Sequence, residues 1–404
     1  MKYILFDDDS RLNLLPFTHT RPIADIRCGI FTMRERWETL FNTKTGTLTE
    51  PHLQKVFPLI TESTPIIENE PFLLVNGSVF GNKDLAAAIN NLEAGEQLVY
   101  GNTLIAAKCA NGIIELRDFK DEIAGYKTIE YSNYIYLLRN IWDIFSFNDR
   151  AIREDFILLT EGRNSQPIPD SVMISGNENI FIEPGGKINM GCIINATTGP
   201  VYIGKNAEIL EGSILRGPIS LGEKAVIKMG AKIYGATTIG TGCKVGGEIS
   251  NVVFFANSNK GHDGYLGNAV IGEWCNLGAD TNSSNLKNNY DEIKIWSECD
   301  NKMTATGLIF CGLMMADHSK CGINTMFNTG TVVGVSANIF GSNFPEKFIP
   351  SFTWGGTADS TTYDFEKAME TVSRMMARRD LKLTDAEKEL YKYIFDKTAY
   401  QRQN

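Results

Sequence analysis

From Ile203 onward aliphatic side chains recur every six residues: Ile203, Ile209, Leu215, Leu221, Ile227, Ile233, Ile239 and Val245. That period matches neither an amphipathic helix, which repeats about every 3.6 residues, nor a simple alternating strand. It fits a solenoid whose coil is a triangle of three short strands, each side sending one side chain inward. The pairs Ile203-Gly204, Leu221-Gly222 and Ile239-Gly240 lie 18 residues apart, one full coil. Small residues after an inward position let the chain turn where a β-carbon would crowd. Ile182, Ile188 and Ile194 carry the same period earlier, shifted in phase across Gly199-Pro200. The period resumes at Ile271 and Leu277, and again at Ile309, Met315, Cys321, Phe327, Val333 and Ile339.

Two stretches interrupt it, roughly 251–270 and 281–305. Insertions leave a solenoid as loops on one face, often the binding face, so chemistry is expected there.

Residues 1–138 have another texture. Lys2–Phe6, Phe72–Val75, Gln97–Tyr100 and Leu104–Ala107 predict strands, while Ile30–Leu40 and Lys83–Leu92 predict helices; the alternation implies an α/β sheet layer. A helix is expected over Asn140–Leu159, in a linker running from 139 to 170 that ends in a Pro167/Pro169 loop. The solenoid should occupy 171–345. A C-terminal extension, 346–404, should hold a helix over Asp364–Arg379 and another opened by the capping box Thr384-Asp385-Ala386-Glu387, together covering the open solenoid edge.

Thirty-nine basic against 48 acidic residues leave a net charge of −9. Such a chain has no obvious electrostatic grip on nucleic acid or anionic lipid. The first residues turn acidic after six positions, unlike a secretory leader, and no apolar run approaches the roughly 20 residues of a membrane span. Eight scattered cysteines without a C-x-x-C pair predict reduced, mostly buried thiols and a cytoplasmic setting.

Within the first interruption stands Gly261-His262-Asp263-Gly264-Tyr265-Leu266-Gly267, followed by Ile271-Gly272, Asn276-Leu277-Gly278-Ala279-Asp280-Thr281 and Asn285. This stretch resembles the acetyltransferase half of the bifunctional family that makes UDP-N-acetylglucosamine. In that family a sugar-nucleotide uridylyltransferase domain precedes a left-handed β-helix that acetylates glucosamine 1-phosphate. The resemblance implies an α/β, nucleotidyltransferase-like (Rossmann-like) N-terminal domain and a C-terminal left-handed parallel β-helix with terminal helices. It places the catalytic histidine on His262, the sugar-phosphate tyrosine on Tyr265, the substrate asparagine on Asn276 and the acetyl-donor asparagine on Asn285. A phosphate-gripping lysine of the family would fall near Ser250, so Lys260 or another basic residue should take that role, or the substrate differs. Acetyl-CoA is the implied co-substrate, and a homotrimer with sites between subunits is implied by analogy.

The chemistry of His262 stands apart from the resemblance. Acetylating an amino sugar requires removing a proton from an ammonium so that its lone pair can attack a thioester. An imidazole accepts that proton near neutral pH. Flanking glycines let backbone N–H groups approach a developing oxyanion. His318, beside Asp317, is the rival base or acyl-donor orienter, or else a rim or subunit-contact residue. Lys302, Lys320 and Lys347 are candidates for the coenzyme phosphates.

The N-terminal half departs from the family. Nucleotidyltransferases carry a G-x-G-T-R loop after the first strand, whose N–H groups hold phosphates. Here the chain reads Phe6-Asp7-Asp8-Asp9-Ser10-Arg11-Leu12, and Ser78 stands where a metal-binding aspartate usually follows Gly77. Two readings stay open. One is a divergent uridylyltransferase using Asp7, Asp8 and Asp9 with Mg2+ and the bases Arg11 and Arg21. The other is a domain that binds a sugar or nucleotide without turnover. Beyond the bifunctional reading, an acyltransferase acting on a sugar nucleotide and a non-catalytic sugar-nucleotide sensor are the alternatives.

Overall fold

The computed structural model describes residues 1–59, 70–110, 119–357 and 359–402. The chain forms two compact units: Met1–Leu14, Thr20–Ile26 and Phe31–Asn140 in one; Leu15–His19, Arg27–Ile30 and Ile141–Asn404 in the other.

The first unit is built on six strands, β1 (Lys2–Phe6), β2 (Gly46–Leu48), β3 (Phe72–Asn76), β4 (Glu96–Tyr100), β5 (Thr103–Cys109) and β6 (Lys127–Glu130), in the order β2-β1-β3-β5-β4-β6. β1 runs parallel to β2 and β3, and β5 is antiparallel to β3 and β4. All five residues of β3 are buried, as expected of a central strand covered on both faces. Alternate residues of β1 and β3 feed separate cores. Tyr3, Leu5, Leu73 and Val75 pack with Trp37, Leu85 and Ile89, whereas Ile4, Phe6, Phe72 and Leu74 pack with Phe119 and Ile123. Helix α1 (Met33–Phe41) opens on a capping box between Thr32 and Glu35, and α2 (Lys83–Asn90) is capped by Asn82. These helices begin where side-chain oxygens satisfy the first free N–H groups.

The second unit is a parallel β-helix of the left-handed hexapeptide class. On one face Ile182, Ile203, Leu221, Ile239, Phe254, Ile271, Met315, Val333 and Ile349 stack coil over coil, each 0–1% exposed. A second column runs Ile188, Ile209, Ile227, Val245. The six-residue period is therefore one continuous apolar interior.

The two interruptions are physically different. At 251–270 the chain never leaves the solenoid; the coil is shortened. Ile227 pairs with Val245, 18 residues on, but Val245 pairs with Lys260 after only 15. Seven-residue strands, Glu248–Phe254 and Tyr265–Ile271, run through a corner that other coils break. The second interruption is a true insertion, carrying an antiparallel hairpin, Lys294–Ser297 with Lys302–Ala305. Ile309 belongs to that excursion, being 49% exposed, and the interior column resumes at Met315. The column also continues past Gly341, through Phe348–Ile349.

The helix expected over Asn140–Leu159 is divided at Phe147, into a short turn at Asp143–Ser146 and α3 (Asn148–Thr160). Buried α3 side chains hold an early piece of chain: Asn148 accepts from the Gly29 N–H and Asp155 from the Ile30 N–H, each at 2.8 Å. Phe17, fully buried, packs 5.4 Å from Phe255. Helices α4 (Phe365–Ala377) and α5 (Asp385–Lys397) close the unit, Phe365 and Phe395 meeting Phe352 at 6.1 and 5.1 Å. All eight cysteines are free, and only Cys299 is exposed. Among the described residues no helix is long and apolar enough to cross a membrane.

Candidate active site

The shortened coils put the glycine-flanked motif on a corner. The strand Asn259–Lys260 ends one side, Gly261 to Gly264 make the turn, and Tyr265 starts the next. Gly264 has φ +112°, and a β-carbon there would overlap the Thr281 carbonyl; the turn needs glycine at this point. His262 is exposed on the turn.

On one side of the corner the outward residues Lys244, Asn259 and Asn276 stack across three coils. With His262 they line a groove of about 520 Å3. Lys228 and Trp274 border it, and Arg378 and Arg379 reach it from the end of α4. Arg379 also donates to the Gly242 carbonyl at 2.7 Å. The groove thus presents four cations beside one imidazole, a setting for a phosphate-bearing ligand.

On the other side Tyr265 and Asn285 are joined. Asn285 Nδ2 donates to the Tyr265 hydroxyl at 3.0 Å and to Asn268 Oδ1 at 2.8 Å. The Tyr265 N–H donates to Asn282 Oδ1 at 2.8 Å. A β-carbon at Gly267 would overlap the Tyr265 hydroxyl, so the ring lies where only a glycine surface allows it. Burial pushes the Tyr265 phenol above its usual range. Glu248 lies in register with Tyr265, accepts from Tyr234 at 2.7 Å and sits 3.8 Å from Lys232.

The structure therefore brings His262 to Asn276, and Tyr265 to Asn285, on two sides of one corner. Lys260 is placed differently from the phosphate-gripping role that the motif implied. It is 1% exposed, and its Nζ donates to the carbonyls of His262 (2.6 Å) and Asp263 (2.8 Å). Burial lowers its pKa to about 8, against the pull of Asp263 and Asp280. Ser250 pairs with Gly267 and, one coil earlier, with Tyr234, while Lys232 on that earlier strand is in register with Glu248.

His318 is neither base nor rim. It is buried beneath α5, its Nε2 2.8 Å from the Tyr391 hydroxyl and its ring stacked on Trp274 at 6.2 Å. Lys320 donates to the His318 carbonyl at 2.7 Å and is lowered to about 8 by burial. Neither it nor Lys302 or Lys347 borders the His262 groove. The cations that do, Lys228, Lys244, Arg378 and Arg379, carry no local signature; only the coil register and the fold-back of α4 assemble them.

The first unit holds a cavity of about 580 Å3 at the end of β1. Asp8, Asp9, Asn13, Asn76, Gln97 and Arg139 are among the described residues that line it. Asp8 is engaged on both oxygens: Oδ1 accepts from the Ser10 N–H at 3.0 Å and from the Ser10 hydroxyl, and Oδ2 accepts from Asn76 (2.8 Å) and Ser78 (3.1 Å). Among the described residues no three His, Cys, Asp or Glu side chains converge as a metal set. Both carboxylate oxygens of Asp8 are thus already engaged by protein donors, while Asp9 also lines the cavity. Asp7 points away from the cavity chemistry. It accepts from the Ile23 N–H (2.8 Å) and the Thr49 hydroxyl (2.5 Å), lies 3.4 Å from Arg11, and is raised to about 6 by burial despite Arg11. Arg11 and Arg21 are buried and absent from the cavity lining, contrary to the role expected for them in holding phosphates. Arg11 turns instead to Asp7 and to His52, 3.5 Å away.

Both halves of this architecture have counterparts among known proteins. The profile of the family described as sugar nucleotidyl transferase matches residues 3–164. The class is thus a nucleotidyltransferase-type α/β domain followed by a hexapeptide β-helix transferase. An uncharacterized acetyltransferase, YaiX, of Escherichia coli O6:K15:H31 is 32% identical over 164 residues, 40% of this chain and 70% of that protein. A bifunctional sugar-1-phosphate nucleotidylyltransferase/acetyltransferase of Sulfurisphaera tokodaii is 28% identical across 68% of this chain, which spans 59% of that relative. Among solved structures, an Arabidopsis UDP-N-acetylglucosamine acyltransferase overlays 59% of this chain and 92% of its own at 15% identity and a TM-score of 0.24. The chain belongs to the family of the YaiX acetyltransferases.

Proposed function

We propose that the β-helix unit transfers an acetyl group from acetyl-CoA to the amino group of an amino-sugar 1-phosphate, glucosamine 1-phosphate first among them. The observation that carries the reading is His262, exposed on a turn at the head of a groove ringed by Lys228, Lys244, Arg378 and Arg379. The imidazole takes the proton from the substrate ammonium, the freed lone pair attacks the thioester carbon, and the tetrahedral oxyanion collapses with cleavage of the C–S bond as the departing coenzyme sulfur takes the second proton from the nitrogen. The groove cations, with Asn276 beside them, face the coenzyme phosphates; Tyr265, fixed by Asn285, meets the sugar phosphate from the other side of the corner. The product would pass to the first unit for coupling to a nucleotide, giving UDP-N-acetylglucosamine, in a cytoplasmic homotrimer.

A second reading has its own observation. The cavity of the first unit is lined by amides and hydroxyls together with apolar side chains such as Phe6, Leu104 and Phe119, and Asp8 is held by four protein donors. Such a lining suits recognition of a sugar nucleotide without phosphate chemistry, leaving acyl transfer as the one reaction.

Free-thiol release from acetyl-CoA with glucosamine 1-phosphate, galactosamine 1-phosphate and a UDP-amino sugar separates these readings. His262→Ala should lower kcat by about a hundredfold or more, as loss of a general base does. Turnover confined to the sugar nucleotide would favour the second reading. Unchanged turnover in His262→Ala would remove His262 from the mechanism.

A further inference from the structure

Lys260 occupies a place the β-helix reserves for apolar side chains. It pairs with Val245 in the coil before, and since Asn259 pairs with Asn276, Lys260 takes the position that Leu277 takes in the coil after. Val245 and Leu277 are both buried in the interior. An apolar residue would satisfy the fold at this position, and burying an ammonium there costs free energy unless its protons find partners. They find the turn that carries His262: Nζ lies 2.6 Å from the His262 carbonyl and 2.8 Å from that of Asp263. The turn is bounded by Gly261 and Gly264, which give it wide conformational freedom. The opposite face of the same residue, the His262 imidazole, borders the groove.

We propose that Lys260 is a positioning residue, an internal clamp that fixes the His262 turn from within the coil so that the imidazole stands in place before substrate arrives. This rests on the reading of His262 as the base. Its energetic sense is preorganisation: two charge-assisted hydrogen bonds to consecutive carbonyls leave the turn little freedom to lose on binding.

The test compares full-length wild type, Lys260→Met and Lys260→Gln by melting temperature, by amide hydrogen exchange, and by thiol release from acetyl-CoA. Methionine fills the interior but donates nothing; glutamine keeps a donor on a shorter stem. For Lys260→Met the expected result is an unchanged or higher melting temperature with exchange at 261–266 faster by about tenfold. Its kcat should fall by about tenfold or more, with the KM for acetyl-CoA within about twofold. Lys260→Gln should lie between. Wild-type exchange and kcat in a folded Lys260→Met would overturn the proposal. So would exchange quickened throughout the β-helix with a lower melting temperature, because Lys260 would then be a general stabiliser. If Lys260→Met does not fold, exchange at 261–266 in Lys260→Gln decides. Exchange reads the clamp even where no amino sugar is acetylated, so failure of the clamp and failure of the acetyl-transfer reading are told apart.

Discussion

The bond between Asn285 and the Tyr265 hydroxyl makes two residues 20 positions apart into one device. Tyr265→Phe removes the hydroxyl, and Asn285→Ala removes its donor. Each should lower kcat/KM for acetyl transfer by about tenfold, and the double variant should cost hardly more than the worse single one, since groups in direct contact are not additive. Additive losses would mean that the two act separately. Asp7 gives a pH prediction. Its folded pKa, about 6, lies above the ordinary 3.8 because burial outweighs Arg11 and the bonds from Thr49 and Ile23, with Asp25 adding to the rise. The stability this group contributes is present in full below about pH 4 and is lost as pH rises through about 6. Unfolding free energies from urea titrations across that window should fall in the wild type by on the order of 2 kcal/mol relative to Asp7→Asn; parallel profiles would refute it. His262, Tyr265, Asn276 and Asn285 stand out in the sequence because a motif holds them together locally, and the fold puts them on two sides of one corner. Lys260 is expected as a phosphate-gripping residue because nothing in Asn259-Lys260-Gly261 reveals that the coil has shortened and turned this side chain inward. The acid run was misleading in the same way: Asp7, Asp8 and Asp9 are neighbours in sequence, yet Asp7 braces the fold while Asp8 and Asp9 line a cavity.

At the level of elements, the six-residue period specified the β-helix because most inward positions are filled by separate apolar residues. What it did not disclose was the pitch of the coils around the site, because a missing beat reads alike whether residues are inserted or removed. The shortened coil has a sharp consequence at Gly240, where a β-carbon would overlap the Phe255 carbonyl oxygen beneath it. Gly240→Ala should therefore destabilise the protein by about 4 kcal/mol or more, as clashes with a fixed backbone do. Gly212, with φ +69° and open space around it, supplies the control. Gly212→Ala should cost only about 1 kcal/mol, the strain of a left-handed alanine. Denaturant midpoints of the two variants check the pair, and equal losses would mean that the coil relaxes around Gly240.

For the whole molecule, the order of domains along the chain conceals an exchange between them. Residues 15–19 and 27–30 belong to the β-helix unit, where Phe17 packs on Phe255, His19 lies 3.0 Å from Glu298, and the Thr238 hydroxyl donates to the Gly29 carbonyl at 3.0 Å. No periodicity marks these residues, and their destination is set by tertiary contacts more than a hundred positions away. A fragment beginning at Ile141 should consequently melt several degrees below the same unit in the intact chain, about what loss of a buried aromatic and its hydrogen bonds implies. An unchanged transition by calorimetry would show the early segments to be dispensable.

That exchange bears on how such a protein can change over generations. A recombination that replaced everything ahead of the β-helix would strip the helix of Phe17, His19 and Gly29 along with the domain it meant to swap. The two halves are then inherited as a pair. A lineage that loses the chemistry of the first domain has reason to keep its polypeptide, because the second domain is finished with residues from the first.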